Sequence, residues 1–254
     1  MRQQYRVKNC GQSLSAYPSA PTVHYISSEE LEWDYSPNRT WEIQNFNTTE
    51  EDGPGHMFVG TGPIIRAEVG EVLQITFLNK ARASILYPAS WSEDFTSEAK
   101  TCVTWTQSVP LVICRKGTLD QRRKRQDVDA EFALLFFILM RTCHAINGKV
   151  YGKLQGLNMQ EGQKVNWYLL GMGNEVDLHT VHLHGQTFIY KTDLPHRADV
   201  FELFPGIFQT LEMMAETEGT WLLHCHVADH IHAGMETTYT IKSVRPSNPG
   251  QKSG

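Results

Sequence analysis

Histidine, cysteine and methionine side chains are concentrated in two short stretches of the second half of the chain. The stretch DLHTVHLHG, residues 177–185, carries three histidines. The stretch GTWLLHCHVADHIHAGM, residues 219–235, carries four histidines, one cysteine and one methionine. Imidazole nitrogens and thiol or thioether sulfurs are ligands for transition metals such as copper and zinc. Two such stretches in one chain predict metal centres rather than incidental histidine richness.

The alternation of side chains along a β-strand divides these donors into two sets. Residues two apart on a strand share a face, and neighbours point to opposite faces. His179 therefore points away from the face of His182, and Cys225 points away from the face of its two neighbours. We call one group the imidazole set: His182, His184, His224 and His226. We call the other group, which the loop after the second strand completes, the mixed donor set: His179, Cys225, His230 and Met235.

The mixed donor set has the composition of a blue-copper electron-transfer site, with two imidazoles, one thiolate and an axial thioether. Zinc is the alternative, but it is more often held by a closed set of Cys and His ligands without methionine. The imidazole set suits copper or zinc. Because Cys225 lies between His224 and His226, its backbone would connect the two sets directly.

The elements that must position these donors are predicted to be short β-strands. RAEVGEVLQITF, residues 66–77, alternates polar and apolar residues around a Gly-Glu turn, which is typical of a β-hairpin half-buried on one face. FALLFFILM, residues 132–140, is too short to span a bilayer and predicts a buried strand. Short strands separated by Gly, Pro and Asn turns predict an all-β protein made of antiparallel sandwiches.

The length of 254 residues allows one or two domains. A charged segment poor in apolar residues, 117–131, is predicted to link a first β-rich domain, 21–116, to a second, 132–245. Residues 1–20 are expected to be irregular, and residues 246–254 are expected to form a disordered tail. The hydrophobic content of 41% and charged content of 20% are ordinary for globular proteins.

Charge and local motifs bear on partners and compartment. The net charge of −5 argues against nucleic acid as a partner. We expect no signal peptide and no membrane span in the chain as written. Asn38 and Asn47 begin glycosylation triplets, however, and Cys102 and Cys114 are candidate disulfide partners. Both features are typical of proteins outside the cell, so the compartment stays open.

The two histidine stretches resemble the copper motifs of multicopper oxidases, specifically the last cupredoxin domain of the ceruloplasmin and hephaestin family of ferroxidases. EFALLFF, CHAINGKVYGKLQGLNM and DVFELFPGIFQTLEM support the same assignment. GPIIRAEVGEVLQITFLNKA resembles the preceding domain of that family. The resemblance implies two cupredoxin-like Greek-key β-sandwiches, the first incomplete and free of copper ligands, the second carrying them.

The resemblance also implies a role for each donor. The type 1 copper ligands would be His179, Cys225, His230 and Met235. His182 matches a type 2 ligand, and three residues match type 3 ligands: His184, His224 and His226. In the family, Fe(II) is oxidised at type 1 copper, and electrons pass through the cysteine to a trinuclear copper site that reduces O₂ to water. An extracellular or secretory-pathway location is then expected.

Three departures from the family pattern limit this expectation. The chain has no second pair of His-x-His motifs, so it holds half of the trinuclear ligands, and a missing N-terminal domain or a second protomer must supply the rest. Asp229 and His144 match family iron ligands, but Leu139 replaces the glutamate expected five positions before His144. Both domains are shorter than the family pattern, which predicts a truncated product. The alternative hypothesis is a non-catalytic copper-binding or interaction fragment of a longer ferroxidase.

Overall fold

The computed structural model describes residues 22–28, 40, 63–80, 101–106, 109–140, 143–173 and 177–244. Its strands are β1 (Thr22–Ser28), β2 (Ile65–Glu68), β3 (Leu73–Asn79), β4 (Thr101–Thr106), β5 (Val109–Cys114), β6 (Ala130–Met140), β7 (Cys143–Ile146), β8 (Asn158–Gln160), β9 (Lys164–Gly171), β10 (His179–Leu183), β11 (Phe188–Lys191), β12 (Pro195–Ala198), β13 (Val200–Leu203), β14 (Phe208–Met214), β15 (Gly219–Cys225) and β16 (Glu236–Lys242). A short helix, α1 (Ala228–His232), follows β15. The predicted all-β class is confirmed.

The strands from β6 onward form two sheets that pack face to face. One sheet has the order β13-β10-β15-β16-β8, and the other has the order β12-β11-β14-β9-β6-β7. Most neighbours are antiparallel, but β6 pairs parallel with β9, and β8 pairs parallel with β16. Between the sheets, Trp167 and Tyr239 are fully buried with ring centroids 5.8 Å apart. Burial of such apolar side chains stabilises the sandwich and fixes the strands that carry the donors.

Strand β6 contains the apolar run and lies inside the six-stranded sheet. Leu134, Leu135 and Phe136 are each 0% exposed, although neighbours on a strand point to opposite faces. Leu134 and Phe136 pack in the sandwich core, whereas Leu135 packs on the other face against Tyr168 and Val112. The predicted buried strand is confirmed. It needs apolar residues at successive positions because both of its faces are covered.

The predicted hairpin around Gly70 is wrong. β2 and β3 flank the turn, but β2 pairs with β5 and β3 pairs with β1. The turn therefore carries the chain from the sheet β2-β5-β4 to the separate pair β1-β3. Ile65 and Leu111 of the first sheet pack against Leu73 and Ile75 of the second. Alternation of polar and apolar residues indicates that each strand buries one face. It does not show whether the two strands pair with each other in one sheet or belong to two sheets that pack together.

The charged segment before β6, expected to be a linker, is folded against the six-stranded sheet. Arg125 is 7% exposed, and its guanidinium donates to the Tyr168 hydroxyl at 2.8 Å and to Asp127 at 2.8 and 2.7 Å. The Tyr168 hydroxyl donates in turn to Glu131 at 2.6 Å. A charged sequence is compatible with burial where each charge has a partner. The expected domain boundaries stay a prediction.

The expected disulfide between Cys102 and Cys114 is not formed in this structure, where Cys114 is a buried free thiol. Pairing of β4 with β5 puts Thr101 opposite Cys114, while Cys102 is opposite Ile113. The two cysteines are therefore one position out of register across this strand pair. Burial raises the pKa of the Cys114 thiol to about 11, so it stays protonated at neutral pH.

Several expectations concern parts of the chain outside the described residues. They are the glycosylation acceptors and the two terminal segments: Asn38, Asn47, 1–20 and 246–254. Within the described ranges, the structure contains no helix with the length and apolar character needed to cross a membrane.

Candidate metal centres

The two histidine stretches form adjacent strands of the five-stranded sheet. β10 and β15 pair antiparallel, with Val181 opposite Cys225 and His182 opposite His224. Burial alternates along β10: His179 and Val181 are 0% exposed, whereas His182 is only partly buried. Alternation on neighbouring strands thus sends one set of donors toward the sandwich core and the other toward the outer face.

The donors of the mixed donor set come together on the core side. The ligand atoms of His179, Cys225 and His230 all lie within 4.8 Å of one another. The Cys225 Sγ is 3.3 Å from His230 Nδ1, and the backbone N–H of Thr180 donates to the same sulfur at 3.3 Å. Cys225 is 0% exposed. The site therefore offers two imidazoles and one sulfur that is shielded from water.

Met235 reaches this site through the loop between β15 and β16. Helix α1 carries His230, and the Met235 N–H donates to the His230 carbonyl at 3.0 Å. The Met235 carbonyl accepts from the Cys225 N–H at 3.0 Å. The Met235 side chain is 0% exposed and belongs to the same buried cluster as Cys225. These backbone hydrogen bonds hold the methionine next to the other two residues.

The orientation of His179 is fixed by a backbone carbonyl. Its Nε2 lies 3.2 Å from the carbonyl oxygen of Met172. Because a carbonyl oxygen only accepts, Nε2 must carry the proton and donate. The Nδ1 lone pair is then left buried, without a hydrogen-bond partner among the described residues. A buried nitrogen lone pair next to a thiol is the arrangement that a metal ligand needs.

Burial sets the protonation states of the mixed donor set. Desolvation lowers the pKa of His179 to about 4 and also lowers the pKa of His230. Burial raises the pKa of Cys225, although the backbone N–H of Thr180 acts in the opposite direction. Both imidazoles are therefore neutral at pH 7, which is the form that binds metals. The thiol must lose its proton to become a ligand.

The imidazole set converges on the outer face of the sheet. The ring centroid of His182 is 4.5 Å from that of His184, 5.2 Å from that of His224 and 5.3 Å from that of His226. His224 is 4% exposed, whereas His184 and His226 are exposed. Burial lowers the pKa of His182 and of His224. The result is a cluster of imidazoles with one side buried and the other side open to solvent.

The candidate iron ligands lie beside His230. The ring of His144 packs edge-on against that of His230, with centroids 4.8 Å apart. Burial lowers the pKa of His144, while the charges of Asp177 and Asp229 act in the opposite direction. Among the described residues, neither carboxylate joins a group of three close donors. Asp177 was not among the predicted iron ligands, although it lies two residues before His179 in the sequence.

Comparison with known sequences identifies the domain that carries both donor sets. The profile of the multicopper oxidase family matches residues 124–244. Hephaestin of Rattus norvegicus is 34% identical over 352 residues, an alignment that covers 94% of this chain and 30% of hephaestin. Ferroxidase HEPHL1 of Homo sapiens is 35% identical over 357 residues, covering 95% and 31% of the two chains. Ceruloplasmin of Homo sapiens is 33% identical, covering 98% and 34%. The chain therefore spans about a third of the length of these relatives.

Solved structures support the fold. A blue copper oxidase from Nitrosomonas europaea superposes with a TM-score of 0.58 at 15% sequence identity, over 87% of this chain and 86% of that chain. Another multicopper oxidase superposes with a TM-score of 0.59 at 15% identity, over 89% of this chain and 91% of that chain. At this level of identity the similarity concerns the cupredoxin-like architecture alone. The predicted relationship is confirmed: this chain belongs to the multicopper oxidase family, whose cofactor is copper and whose members here include ferroxidases.

Proposed function

We propose that this chain is a copper-dependent oxidoreductase of the ferroxidase type, with the mixed donor set as its type 1 copper site. The observation that carries the proposal is the position of Cys225 between His224 and His226. Its sulfur lies among the mixed donors, while the imidazoles of its neighbours lie on the opposite face. Cys225 and its two peptide bonds thus connect the mixed donor set to the imidazole set.

The side chains present fit copper. His179 Nδ1 and His224 Nε2 are buried and lack hydrogen-bond partners within the described part of the chain. Both are imidazole nitrogens, and the first lies close to the Cys225 thiol, a soft ligand that favours copper over hard cations. When bound, copper would supply one-electron transfer at the thiolate and reduction of O₂ at the imidazoles.

Hydrogen bonds and burial within the chain would keep these ligands in fixed positions. The Met172 carbonyl keeps the His179 proton on Nε2 and so leaves Nδ1 available. The Thr180 N–H donates to the Cys225 sulfur, which favours the charged thiolate. Full burial of Cys225 and Met235 excludes water from the sulfur side of the site. A ligand set that moves little between oxidation states favours fast electron transfer.

Fe(II) would be the electron donor, and it would approach the mixed donor set next to His230. The His144 ring packs against that of His230, and the negative charges of Asp229 and Asp177 act on His144. Carboxylate oxygens are suitable ligands for iron. Leu139 stands where the family pattern has a glutamate, so we propose that Fe(II) binds more weakly than it would with that ligand present.

O₂ would be the acceptor, and its reduction at a complete trinuclear site requires ligands beyond this chain's four outer histidines. We propose that a further segment or a second protomer supplies them. The alignment with rat hephaestin runs over 352 residues, whereas this chain has 254, so the relative carries residues between the aligned ones that this chain lacks. This supports the proposal of a shortened product.

We further propose the secretory pathway as its compartment, with Asn38 and Asn47 as glycosylation sites.

A non-catalytic copper-binding fragment is the second candidate function. Two observations favour it: half of the expected trinuclear ligands are present, and Leu139 replaces an iron ligand. In this case copper would bind to the mixed donor set, but O₂ reduction would not follow.

Oxygen uptake distinguishes the two candidates. The purified chain is loaded with copper, and O₂ consumption is measured with Fe(II) as the reductant. Copper-dependent uptake that is lost in Cys225→Ser would support the oxidase. An intense blue absorption band without uptake would support the non-catalytic fragment. The absence of both the band and the uptake would contradict the type 1 assignment.

A further inference from the structure

The loop between β15 and β16 supplies His230 and Met235 to the mixed donor set. Backbone hydrogen bonds within the loop set its internal shape, but its helix α1 is only five residues long, has no side-chain cap and buries none of its residues. A helix of this length has little stability by itself. The position of the loop therefore depends on contacts with other parts of the chain.

Residues 143–154, which we call the strap, lie beside this loop. Backbone N–H groups of the strap donate to carbonyl oxygens of the loop: His144 to Ala233 at 3.3 Å, Tyr151 to Gly234 at 2.9 Å and Gly152 to Glu236 at 3.0 Å. The strap is itself anchored on β6 by the side chain of Asn147, which accepts from the Leu135 N–H at 2.7 Å and donates to the Ala133 carbonyl at 2.8 Å. The strap thus connects the ligand loop to the six-stranded sheet.

Tyr151 holds the strap to the loop through both its backbone and its side chain. Its φ is 50°, a left-handed conformation that is uncommon and strained for a bulky residue. In this conformation its N–H donates to the Gly234 carbonyl, and its hydroxyl donates to the His232 carbonyl at 3.2 Å. Both acceptors belong to the loop, so one residue binds it at two points.

The ring of Tyr151 also packs against Gly234. A Cβ at Gly234 would lie 3.0 Å from two ring carbons of Tyr151 and 2.9 Å from the Cβ of Val150. Gly234 has φ of 97°, so both the backbone conformation and the available space favour glycine here. In the sequence, His232 and Gly234 lie between His230 and Met235. The contacts of Tyr151 therefore fall on the segment that joins these two ligands.

We propose that Tyr151 is a positioning residue that holds the segment between His230 and Met235 and so fixes these two ligands relative to each other. The strained backbone of Tyr151 brings its N–H, ring and hydroxyl to one side of the loop, which accounts for its retention. Partners outside the ligand set commonly orient metal ligands in this way. The inference rests on the proposed function, because it treats the mixed donor set as a copper site.

Amide hydrogen exchange of the copper-free chain tests the role of Tyr151. The Met235 N–H, which donates to the His230 carbonyl, reports opening of the loop, while the N–H of Leu169 in the buried strand β9 reports unfolding of the sandwich. Tyr151→Asn removes the ring and the hydroxyl but keeps the N–H, and asparagine tolerates the left-handed conformation. We expect exchange at Met235 to become about tenfold faster while exchange at Leu169 stays almost unchanged. Tyr151→Phe, which loses the hydroxyl alone, should give an increase of about threefold.

The copper-loaded chain provides a spectroscopic measurement. In Tyr151→Asn the hyperfine splitting of the Cu(II) electron paramagnetic resonance signal should change, because the ligands are no longer held in the same positions. A chelator should also remove the copper of the blue band about tenfold faster. A wild-type chain that binds copper without a blue band would contradict the type 1 assignment, whereas the exchange measurement needs no copper and decides the role of Tyr151 separately.

Arg123→Asn is the matched control for the asparagine variant. Arg123 is also left-handed, with φ of 61°, and its side chain donates to Glu71 away from the ligand loop. Its replacement should not speed exchange at Met235 relative to Leu169, and it should leave the resonance signal unchanged. Tyr190→Phe removes the hydroxyl of another half-buried tyrosine and is the control for Tyr151→Phe.

Three results in Tyr151→Asn would overturn the proposal. One is unchanged exchange at Met235, and another is an equal increase at Met235 and Leu169, which would indicate a loss of overall stability alone. The third is a Cu(II) resonance signal identical to that of the wild-type chain.

Discussion

His182 and His224 face each other directly across the antiparallel pair of β10 and β15. The next pair on the core side, Leu183 opposite Leu223, is fully buried. A slip of one residue would turn every side chain of one strand to the other face. It would bury imidazoles in the core and expose leucines. Apolar burial at this pair therefore fixes the register on which both donor sets depend.

We expect Cys225→Ser to abolish the blue absorption of the copper-loaded chain. The band arises from charge transfer between thiolate and copper, and a serine oxygen does not provide it. Copper bound by the imidazole set should persist, so the stoichiometry should fall without reaching zero. Absorption and metal analysis measure both effects.

Cys114→Ser is the matched control for this change. Cys114 is also a buried free thiol, but it packs with Val112 and Tyr168, outside the sandwich core that contains Cys225. The blue band should survive its replacement. A band that disappears with Cys114, or that remains without Cys225, would show that the type 1 ligand has been misassigned.

We expect Met235→Leu to retain copper but raise the reduction potential of the site. The axial ligand tunes this potential, and loss of the thioether removes a donor that stabilises Cu(II). Leucine has nearly the same volume, so the fold should be preserved. A redox titration followed by the blue band measures the potential. Met213→Leu, another buried methionine, is the control, and equal potentials in both variants would argue against axial ligation by Met235.

We expect Leu139→Glu to lower the KM for Fe(II) by about tenfold, or about 1.4 kcal/mol of binding energy. The substitution restores a hard oxygen ligand at the position five residues before His144. Steady-state oxygen uptake at varied Fe(II) measures the effect. Leu139→Gln introduces a side chain of similar size without the charge and should leave KM almost unchanged. The same gain in both variants would rule out a role of the carboxylate.

The parity of the donors could be predicted from sequence because alternation on a strand is a local property. His179 and Cys225 do share a face, apart from His182 and His224. The buried strand at residues 132–140 was also predicted from a local property, its run of apolar residues. Neither prediction required knowledge of which strands become neighbours in space.

Features that depend on long-range pairing were not predictable in this way. The turn at Gly70 joins two sheets rather than two paired strands, which depends on the partners β1 and β5. From sequence alone, Arg125 is predicted to lie in a linker. In the structure, its guanidinium donates to the hydroxyl of Tyr168, 43 positions away. The charge of Asp177 acts on the ring of His144 only in the folded chain. Each of these interactions joins parts of the chain that are far apart in sequence, so a local sequence pattern does not predict it.

We expect Gly185→Ala to destabilise the chain by about 2–4 kcal/mol, from left-handed strain and forced displacement of a ring. Gly185 has φ of 69°, and a Cβ there would lie 2.4 Å from the ring of Trp221. The ring must move, and the turn after His184 moves with it. Urea unfolding measures the change. Gly162→Ala is the control, since its φ is 84° but a Cβ would meet nothing within 4 Å. It should cost only about 1–2 kcal/mol, and equal costs would show that the ring contact is unimportant.

The contact between Asp127 and Arg125 should make stability depend on acid pH. The hydrogen bond from the Arg125 guanidinium lowers the pKa of Asp127. A carboxyl group with a lowered folded pKa contributes stability above its unfolded pKa of about 3.9, and the contribution is lost as pH falls through the folded value. Since Asp127 is 44% exposed, solvent screening limits Asp127→Asn to a loss of about 1 kcal/mol at pH 7. The free energies of unfolding of wild type and variant, measured in urea, should therefore differ at pH 7 and converge at acid pH.

Asp193→Asn, which removes an exposed carboxylate outside this contact, is the control. A gap for Asp127→Asn that stays constant down to pH 2 would show that the charge of Asp127 does not stabilise the buried arginine.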